Sequence, residues 1–377
     1  MTAALPVASV RLHSIAVRDF RNLARADLEL PPEGLAIIGE NGQGKTNLLE
    51  AVYYLELFRS IRGARDQDLV RFGATGFHIA ALVEAEQSRE IGVGFDRAAR
   101  RKRVRVDGGE VERLSDALGA LPAVMFAPGD VDLVAGAPSA RRRYLDIMLA
   151  LSSRRYLAAL QRYRAALGHR NAALRDAART GRHDERIAVW EAPLAEHGAV
   201  LWSARLAWVE ENAARFAALC DAIGESAEVS MRYASAVQRQ DDLRAALASA
   251  LAERRAMDVR RGITHAGPHR DDVALSMDGR ELRTFGSAGQ HRTAAIALRM
   301  IEADTLGAHR GGRPLMLLDD PFAELDTRRA TRIVELLARD GLGQTILTVP
   351  RESDIPAGLP RLERRRIRAG ELTVWVS

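Results

Sequence analysis

The sequence predicts an α/β fold with a second, helical lobe, and three stretches carry this prediction. A short apolar stretch, 35–38, is followed by a glycine-rich loop, 39–46, and then by residues with helical spacing. A second apolar stretch, 314–318, ends in two acids. Between them, residues 139–261 are rich in Ala, Leu and Arg and have mostly helical periodicity. The first two stretches indicate strands of a buried sheet, and the third indicates helices inserted between them.

The glycine-rich loop matches the phosphate-binding pattern GxxxxGK[ST]. Its residues are Gly39, Glu40, Asn41, Gly42, Gln43, Gly44, Lys45 and Thr46. Glycines let backbone N–H groups turn inward around an anion, and the following helix adds the positive end of its dipole. We expect Lys45 to lie along the β- and γ-phosphates of ATP and Thr46 to place its hydroxyl on Mg²⁺. The order of strand, loop and helix favours this site over an ordinary surface loop.

Lysine usage supports the same interpretation. Lys and Arg together number 55, yet the only lysines are Lys45 and Lys102. A compact ammonium fits between phosphates where a planar guanidinium would not.

Composition indicates a globular protein of one large or two medium domains. The chain has 377 residues, of which 47% are hydrophobic and 28% charged. No apolar run approaches the ~18 residues of a membrane span, and no secretory signal is evident, so we expect a cytoplasmic protein. The single Cys220 excludes an internal disulfide and suits a reducing compartment. A net charge of +5 is consistent with a polyanionic partner, and 5% aromatic residues disfavour base stacking as the main contact.

Two strand-rich regions precede the helical stretch. Residues 10–38 predict two strands around a turn at Arg21-Asn22, which either reaches the nucleotide or is a plain turn. Residues 77–106 predict three strands, and 97–105 within them carry six basic residues and no acid. These residues either contact DNA phosphates or protect an edge strand by charge. The DNA candidates here are Arg101, Lys102 and Arg103.

The helical stretch is also rich in arginine. Residues 139–170 contain eight arginines and one acid, Asp146. Five of these arginines lie near predicted helix starts, where the helix dipole disfavours cations. Either an anionic partner such as DNA offsets that cost, or the arginines form a solvated face. The five candidates are Arg141, Arg142, Arg143, Arg154 and Arg155.

Strand-like sequence returns after residue 261, beginning with a loop that carries His265 and His269. Gly267-Pro268 between them excludes a helical pair of metal ligands, which favours a loop organised by charge. Ser287 and Gly289 then begin another helix and form a second candidate anion site. One chain rarely needs two such sites for one nucleotide. The second site therefore either completes the pocket of another copy or is a simple helix cap.

The apolar stretch 314–318 is the partner that a P-loop requires. We expect Asp319 to hold the Mg²⁺ shell and Asp320 to polarise the attacking water.

Together these motifs resemble the ABC-type ATPase heads of SMC-like DNA repair proteins, most closely the bacterial RecF family, over nearly the whole chain. Residues 39–46 resemble its Walker A motif, 287–290 its signature motif, 315–320 its Walker B motif and 324–326 its D-loop. More distinctive stretches are 19–23, 170–174 and 267–272. The resemblance adds Gln290 and Asp326 to the nucleotide-binding residues and makes Gln67 the candidate for the glutamine that senses the γ-phosphate.

The sequence departs from the ABC pattern at two points. The acid after the Walker B aspartate is Asp320, where most ABC ATPases have Glu, and the strand 345–350 lacks a switch histidine. These departures predict slow hydrolysis. The predicted ATPase lobe comprises 1–128 and 262–377, and the predicted helical lobe comprises 129–261, which is too short for a long SMC coiled coil.

The resemblance implies an ATP-dependent DNA-binding protein of recombinational repair and replication restart. It would bind duplex DNA or single-strand/double-strand junctions as an ATP-induced homodimer, and it would be a weak, slow ATPase that DNA stimulates. It would assist RecA loading with RecR and RecO, without a membrane partner. The alternatives are the nucleotide-binding subunit of an ABC transporter, another SMC-like ATPase, a small-molecule P-loop kinase and a non-hydrolysing structural protein. The arginine-rich insert and the absent switch histidine argue against the transporter.

Overall fold

The computed structural model describes residues 8–84, 88–180, 186–322, 325–339, 343–359 and 361–375. The chain forms two compact units. The first unit contains residues 1–130, 222–224 and 298–377, and the second contains 131–221 and 225–297.

The strands, in chain order, are β1 (Ala8–Ser9), β2 (Arg11–Phe20), β3 (Leu23–Glu29), β4 (Gly34–Ile38), β5 (Gly76–Glu84), β6 (Ser88–Asp96), β7 (Arg101–Val106), β8 (Gly109–Glu110), β9 (Ala123–Phe126), β10 (Val229–Ala234), β11 (Asp272–Met277), β12 (Arg280–Glu281), β13 (Gly312–Arg313), β14 (Leu315–Asp319), β15 (Thr345–Val349), β16 (Glu363–Arg368) and β17 (Glu371–Val374). The α-helices are α1 (Lys45–Leu57), α2 (Asp66–Leu69), α3 (Leu114–Ala117), α4 (Asp132–Ala135), α5 (Pro138–Ser152), α6 (Arg154–Thr180), α7 (Arg186–Val189), α8 (Glu191–Ile223), α9 (Leu243–Arg261), α10 (Leu282–Phe285), α11 (Ala288–Arg310) and α12 (Thr327–Arg339).

The first unit is built on a mostly parallel sheet. Among the described residues, its strands are ordered β17-β16-β4-β15-β14-β9, and only β17 runs antiparallel to its neighbour. Every residue of β4, β14 and β15 is buried, which explains why these strands read as continuous apolar runs. Their carboxyl ends meet at one edge, where the predicted glycine-rich loop and the two acids follow.

A second, antiparallel sheet of the first unit is ordered β3-β2-β5-β6-β7-β8 within the described part of the chain. Its strands alternate between buried and exposed positions, as β5 does. Helix α1 contacts both sheets. Its Tyr54 meets Phe20 and Phe77 edge to face, with ring centroids 6.0 and 5.5 Å away. This packing on two sides explains why α1 is almost entirely buried.

The second unit contains α4–α7, α9 and α10, most of α8 and the start of α11. It also contains a small antiparallel sheet of described strands ordered β10-β11-β12. No helix of the described ranges is long and apolar enough to cross a membrane.

This sheet changes the predicted domain boundaries. The return to strand sequence after residue 261 was expected to re-enter the ATPase lobe, yet the compact unit extends to residue 297. The reason is the pairing of β11 with β10, in register from Val229↔Met277 to Ala234↔Asp272. Because β10 lies inside the stretch predicted to be helical, its partner strand belongs to the second unit, as does the predicted signature motif.

A buried charge network joins the helices of the second unit. Arg170 has no exposed surface and donates to Asp258 at 2.7 Å, to Glu191 at 3.0 Å and to the Thr264 hydroxyl at 2.9 Å. His265 lies 2.7 Å from the other oxygen of Asp258. These bonds satisfy a charge that would otherwise be costly to bury.

The two histidines considered as metal ligands belong to this loop and its network. His269 Nδ1 lies 2.6 Å from the Tyr163 hydroxyl and its Nε2 lies 3.1 Å from the Thr264 carbonyl oxygen. Burial lowers the pKa of His269 to about 4, so the ring is neutral at pH 7. Within the described ranges, no three His, Cys, Asp or Glu side chains cluster as a metal site.

We predict that Arg170→Ala lowers the free energy of unfolding by about 3–5 kcal/mol, because Asp258 and Glu191 lose a buried partner. The exposed Arg179, which pairs with Asp176 at 2.9 Å, is the matched control, and Arg179→Ala should cost less than about 1 kcal/mol. Urea denaturation monitored by circular dichroism measures both. Equal destabilisation by the two substitutions would contradict the assignment of the network as a core element.

Candidate nucleotide-binding site

The glycine-rich loop connects β4 to α1, as predicted. Gly42 and Gly44 have φ values of +81° and +111°, which L side chains rarely adopt. A Cβ on Gly44 would also lie 2.8 Å from the side chain of Asn22. Glycine at position 44 is therefore required both by the backbone turn and by the close approach of Asn22.

Lys45 is the first residue of α1 and its side chain lies inside the loop. Only 7% of the residue is exposed, and its Nζ donates to the carbonyl oxygens of Gly39 at 2.5 Å and Glu40 at 3.0 Å. Burial lowers the pKa of Lys45, while the charges of Asp320 and Asp319 oppose that shift. The ammonium is thus held under the loop, within electrostatic reach of both acids.

Three side chains connect the loop to the sheet. The Thr46 hydroxyl donates to Asp319 Oδ2 at 2.8 Å, and the Thr348 hydroxyl donates to Asp319 Oδ1 at 2.8 Å. Asp319 and Thr348 are register partners on β14 and β15, and Thr348 is in turn paired with Ile37 on β4. Asp319 is therefore oriented from both sides. The residues predicted for the site from the sequence do not include Thr348. Its position in the strand 345–350, which pairs with the Walker B strand, is the feature that could have indicated its role.

The pair of Thr46 and Asp319 fits a magnesium ion. Mg²⁺ prefers hard oxygen ligands and is usually held by one or two protein oxygens together with phosphates and water. The Thr46 hydroxyl and the Asp319 carboxylate oxygen, 2.8 Å apart at the mouth of the loop, supply these two protein ligands.

Asp320 turns the chain sharply after β14. Its φ is +45°, a conformation uncommon outside glycine but tolerated by Asp, and its N–H donates to the Thr348 carbonyl at 3.0 Å. This turn places a second, half-buried acid beside Asp319 at the carboxyl edge of the sheet.

Arg21 does not point freely toward a nucleotide. Its guanidinium donates to both carboxylate oxygens of Glu50 at 3.0 and 3.1 Å, and Ser60 donates to the same carboxylate at 2.5 Å. Glu50 is fully enclosed on α1, so the Arg21 side chain ties the β2–β3 turn to the helix.

Asn22 braces the loop. Its Nδ2 donates to the Gln43 carbonyl at 3.2 Å, and its Oδ1 accepts from Asn47 at 2.9 Å. Between the two alternatives predicted for this turn, the described geometry gives Asn22 a positioning role at the phosphate loop.

The β16–β17 turn also supports the loop, a contact that only the glycine at position 370 hints at in the sequence. Ala369 N–H donates to Gln43 Oε1 at 2.6 Å, and Gly370 N–H donates to the Gln43 carbonyl at 2.9 Å. Beside this contact lies a cavity of about 580 Å³. Its lining residues are Ile38, Gly39, Glu40, Asn41, Gln43, Pro350, Arg351, Glu352, Arg366, Ile367, Arg368 and Trp375.

Gln67 lies half-buried on the short helix α2. The preceding Asp66 accepts from the Tyr54 hydroxyl at 2.6 Å and lies 2.9 Å from Lys102 Nζ. Lys102 also donates to the Phe58 carbonyl at 2.6 Å, and its side chain is only 16% exposed. The prediction that Lys102 contacts DNA therefore does not fit the structure, because its ammonium is used to hold β7 against α1 and α2.

The predicted signature motif forms a capping box at the start of α11 in the second unit. The Ser287 N–H donates to Gln290 Oε1 at 2.9 Å, and the Gln290 N–H donates to Ser287 Oγ at 3.3 Å. Gly289 lies in the first turn of this helix. The motif thus combines a helix cap with the small residue and the N–H groups that an anion site needs.

The predicted D-loop is partly described. Asp326 caps α12, accepting from the Arg329 N–H at 2.9 Å, and 62% of its side chain is exposed. Glu324 lies outside the described residues.

The predicted DNA contacts divide by burial. Exposed residues are Arg101, Arg103, Arg143, Arg154 and Arg155. Arg141 is a correction: it is 4% exposed and donates to both oxygens of Asp272 at 2.8 Å. Arg142 is half-buried and donates to the Asp271 carbonyl at 2.7 Å. Both arginines hold the 267–272 loop against α5. For Arg141, the bidentate contact with Asp272 on β11 offsets the cost of burying the guanidinium.

Comparison with known proteins agrees with this geometry. The family model "RecF/RecN/SMC N terminal domain" matches residues 11–355. A "DNA replication and repair protein RecF" of Chloroflexus aggregans is 36% identical over 96% of this chain and 99% of its own length. The protein of the same description from Anaeromyxobacter sp. is 37% identical over 98% of this chain and 100% of its own length.

Solved structures give the same family. A structure of "the recombination mediator protein RecF-ATP in RecFOR pathway" has a TM-score of 0.89 at 29% identity, covering 100% of both chains. An SMC head bound to a winged-helix domain of ScpA has a TM-score of 0.56 at 14% identity and shows the shared head fold alone. These comparisons do not favour the transporter alternative. With its P-loop, its Walker B strand and its ABC-type ATPase head fold, the chain belongs to the RecF family of DNA replication and repair proteins.

Proposed function

We propose that this chain is an ATP-gated DNA-binding protein of recombinational repair and replication restart. It binds duplex DNA or single-strand/double-strand junctions as an ATP-induced homodimer, and slow, DNA-stimulated hydrolysis of ATP ends the bound state. The observation that carries the proposal is the Thr46–Asp319 contact of 2.8 Å, which brings the Walker A and Walker B motifs of a RecF family member to one point.

In this proposal the first unit holds ATP. Lys45 would exchange its two carbonyl partners for phosphate oxygens. Thr46 and Asp319 would hold Mg²⁺, which would neutralise phosphate charge. Asp320 orients the attacking water. Its carboxylate is one methylene shorter than the Glu usual in ABC enzymes, which supports slow turnover. Gln67 and Arg21 are candidates for contact with ATP in the nucleotide-bound state.

The homodimer is supported by the second anion site. Ser287, Gly289 and Gln290 begin a helix of the second unit, where a capping box uses the Ser287 and Gln290 N–H groups and the helix dipole presents its positive end. We propose that this helix start, together with Asp326, closes the nucleotide pocket of the partner copy. ATP then acts as the ligand that joins two protomers, and its hydrolysis separates them.

DNA contact is assigned to exposed arginines of the antiparallel sheet and the helical unit. Arg101 and Arg103 lie exposed on β7, and Arg143, Arg154 and Arg155 lie exposed on α5 and α6. Phosphate contacts of this kind position DNA without reading its sequence. By its family, the chain works in the cytoplasm with RecR and RecO to assist RecA loading.

Phosphate release in the presence of Mg²⁺, with and without duplex DNA, tests the proposal directly. We expect slow release that DNA increases, and a loss of about 100-fold or more in Lys45→Met, because a preorganised charge on the phosphates disappears. Lys45→Arg should retain ATP binding but slow hydrolysis, since a guanidinium does not fit the site of two carbonyls. Release by wild type no faster than by Lys45→Met would show that the chain is not an ATPase.

A helix-cap variant tests the dimer. Ser287→Asp preserves a good N-cap but places a carboxylate against the partner's γ-phosphate, whereas Ser287→Asn is a neutral cap. We expect Ser287→Asp to bind ATP normally and to remain monomeric in analytical ultracentrifugation with ATP and Mg²⁺, while Ser287→Asn still dimerises. Dimerisation of Ser287→Asp at wild-type concentrations would place the signature segment away from the partner's nucleotide.

Salt dependence tests the DNA surface. Each lost phosphate contact should lower the slope of log K against log salt concentration by about 1, so Arg103→Ala should reduce the slope and the affinity together. Arg179→Ala, which removes an arginine already paired with Asp176, is the control and should leave the slope unchanged. An unchanged slope for Arg103→Ala would remove β7 from the DNA surface.

A further inference from the structure

Phe72 is the most exposed large hydrophobic residue of the described chain, with 98% of its surface accessible. Packing of this ring against a partner would remove its apolar area from water. Within the chain, the ring stays exposed at the tip of a turn. Phe72 and Gly73 are the central residues of a tight turn in which the Ala74 N–H donates to the Arg71 carbonyl at 3.0 Å, and Gly73 has a φ of +83°.

The base of this turn is anchored. The Arg71 N–H donates to the Asp19 carbonyl at 2.8 Å, and the Arg71 side chain donates to Asp19 Oδ1 at 2.6 Å. The residue before them, Val70, forms a β-bridge with Phe20. The turn therefore holds the Phe72 ring out from a rigid sheet, and no rearrangement is needed before the ring meets a partner.

The surroundings of Phe72 are basic rather than apolar. The Thr75 carbonyl, three residues after Phe72, accepts from the Arg97 N–H at 2.9 Å. Gly76 at the start of β5 is paired with Asp96 at the end of β6. The turn of Phe72 thus lies at the same end of the antiparallel sheet as the β6–β7 turn, whose exposed arginines are Arg97 and Arg100. Arg101 follows at the start of β7 and lies 3.6 Å from Glu110.

Two acids at this end of the sheet already have partners. Asp96 Oδ1 accepts from the Ala99 N–H at 2.8 Å, and Asp19 is paired with Arg71. Leu82, another exposed hydrophobic residue on β5, lies six positions beyond Gly76, about 20 Å along the strand. One aromatic ring among arginines, without an apolar patch around it, suits a nucleobase held by its phosphates better than a protein hot spot.

We propose that Phe72 stacks on an unpaired base where single-stranded DNA leaves a duplex, while the arginines of the β6–β7 turn hold the neighbouring phosphates. The inference rests on the proposed DNA-binding function and adds to it a residue that distinguishes a junction from continuous duplex. A base inside a duplex is covered on both faces by its neighbours, so Phe72 gains a stacking partner only where the strand is open.

The experiment compares two DNA probes in the presence of ATP and Mg²⁺: a duplex with a single-stranded tail, and a relaxed, covalently closed circular duplex that has no ends. We expect Phe72→Ala to weaken binding to the tailed duplex by about 5- to 100-fold and to change binding to the circle less than about twofold. Phe72→Trp should retain the preference for the tail. Leu82→Ala, which removes another exposed hydrophobic side chain, from the β5 strand that follows the Phe72 turn, is the matched control and should bind both probes as wild type does.

A base analogue locates the contact. With 2-aminopurine at the first unpaired position, wild-type protein should quench the fluorescence, and Phe72→Ala should not. The inference would be overturned if Phe72→Ala weakened binding to both probes equally or weakened binding to neither. It would also be overturned if this variant lost a protein partner while its DNA binding stayed intact. Each of these results would leave the DNA-binding proposal standing. Failure of wild type to bind either probe would overturn the proposed function itself, and this inference with it.

Discussion

The carboxylate of Asp319 is the point on which the nucleotide site depends. One of its oxygens accepts from Thr46 at the start of α1 and the other accepts from Thr348 on β15, each at 2.8 Å. Because the two hydroxyls come from different elements, Asp319 fixes the phosphate loop relative to the sheet. Loss of this carboxylate would leave the buried Thr348 hydroxyl and the half-buried Thr46 hydroxyl without their acceptor and would also remove a ligand suited to Mg²⁺.

The remaining contacts hold the phosphate loop from its other sides. Asn22 binds the Gln43 carbonyl, the Ala369-Gly370 turn binds Gln43 as well, and Arg21 is locked to Glu50 on α1. A loop supported from two sheets and a C-terminal hairpin keeps its N–H groups oriented before an anion arrives. Such preorganisation lowers the cost of binding phosphate, since few groups remain to be ordered.

Motifs made of consecutive residues were predictable from the sequence, whereas contacts between residues far apart in the chain were not. The P-loop, the Walker B strand and the helix cap at Ser287 are each specified by consecutive residues, so their elements were predicted close to their observed positions. Arg141 and Lys102 were misread because their partners, Asp272 and the Phe58 carbonyl, lie 131 and 44 residues away. The boundary near 261 was displaced because the alternation of Val229, Met231 and Tyr233 with polar residues in β10 covers only six residues of an otherwise helical, Ala- and Arg-rich stretch.

Both lysines of the chain are enclosed. Lys45 is 7% exposed beneath the phosphate loop, and the Lys102 side chain is 16% exposed against α1. Enzymes that acetylate proteins or attach ubiquitin act on accessible ε-amino groups, and the folded chain offers neither of its two readily. Acetylation of Lys45 would remove the charge on which the nucleotide site relies, and acetylation of Lys102 would remove the charge that pairs with Asp66.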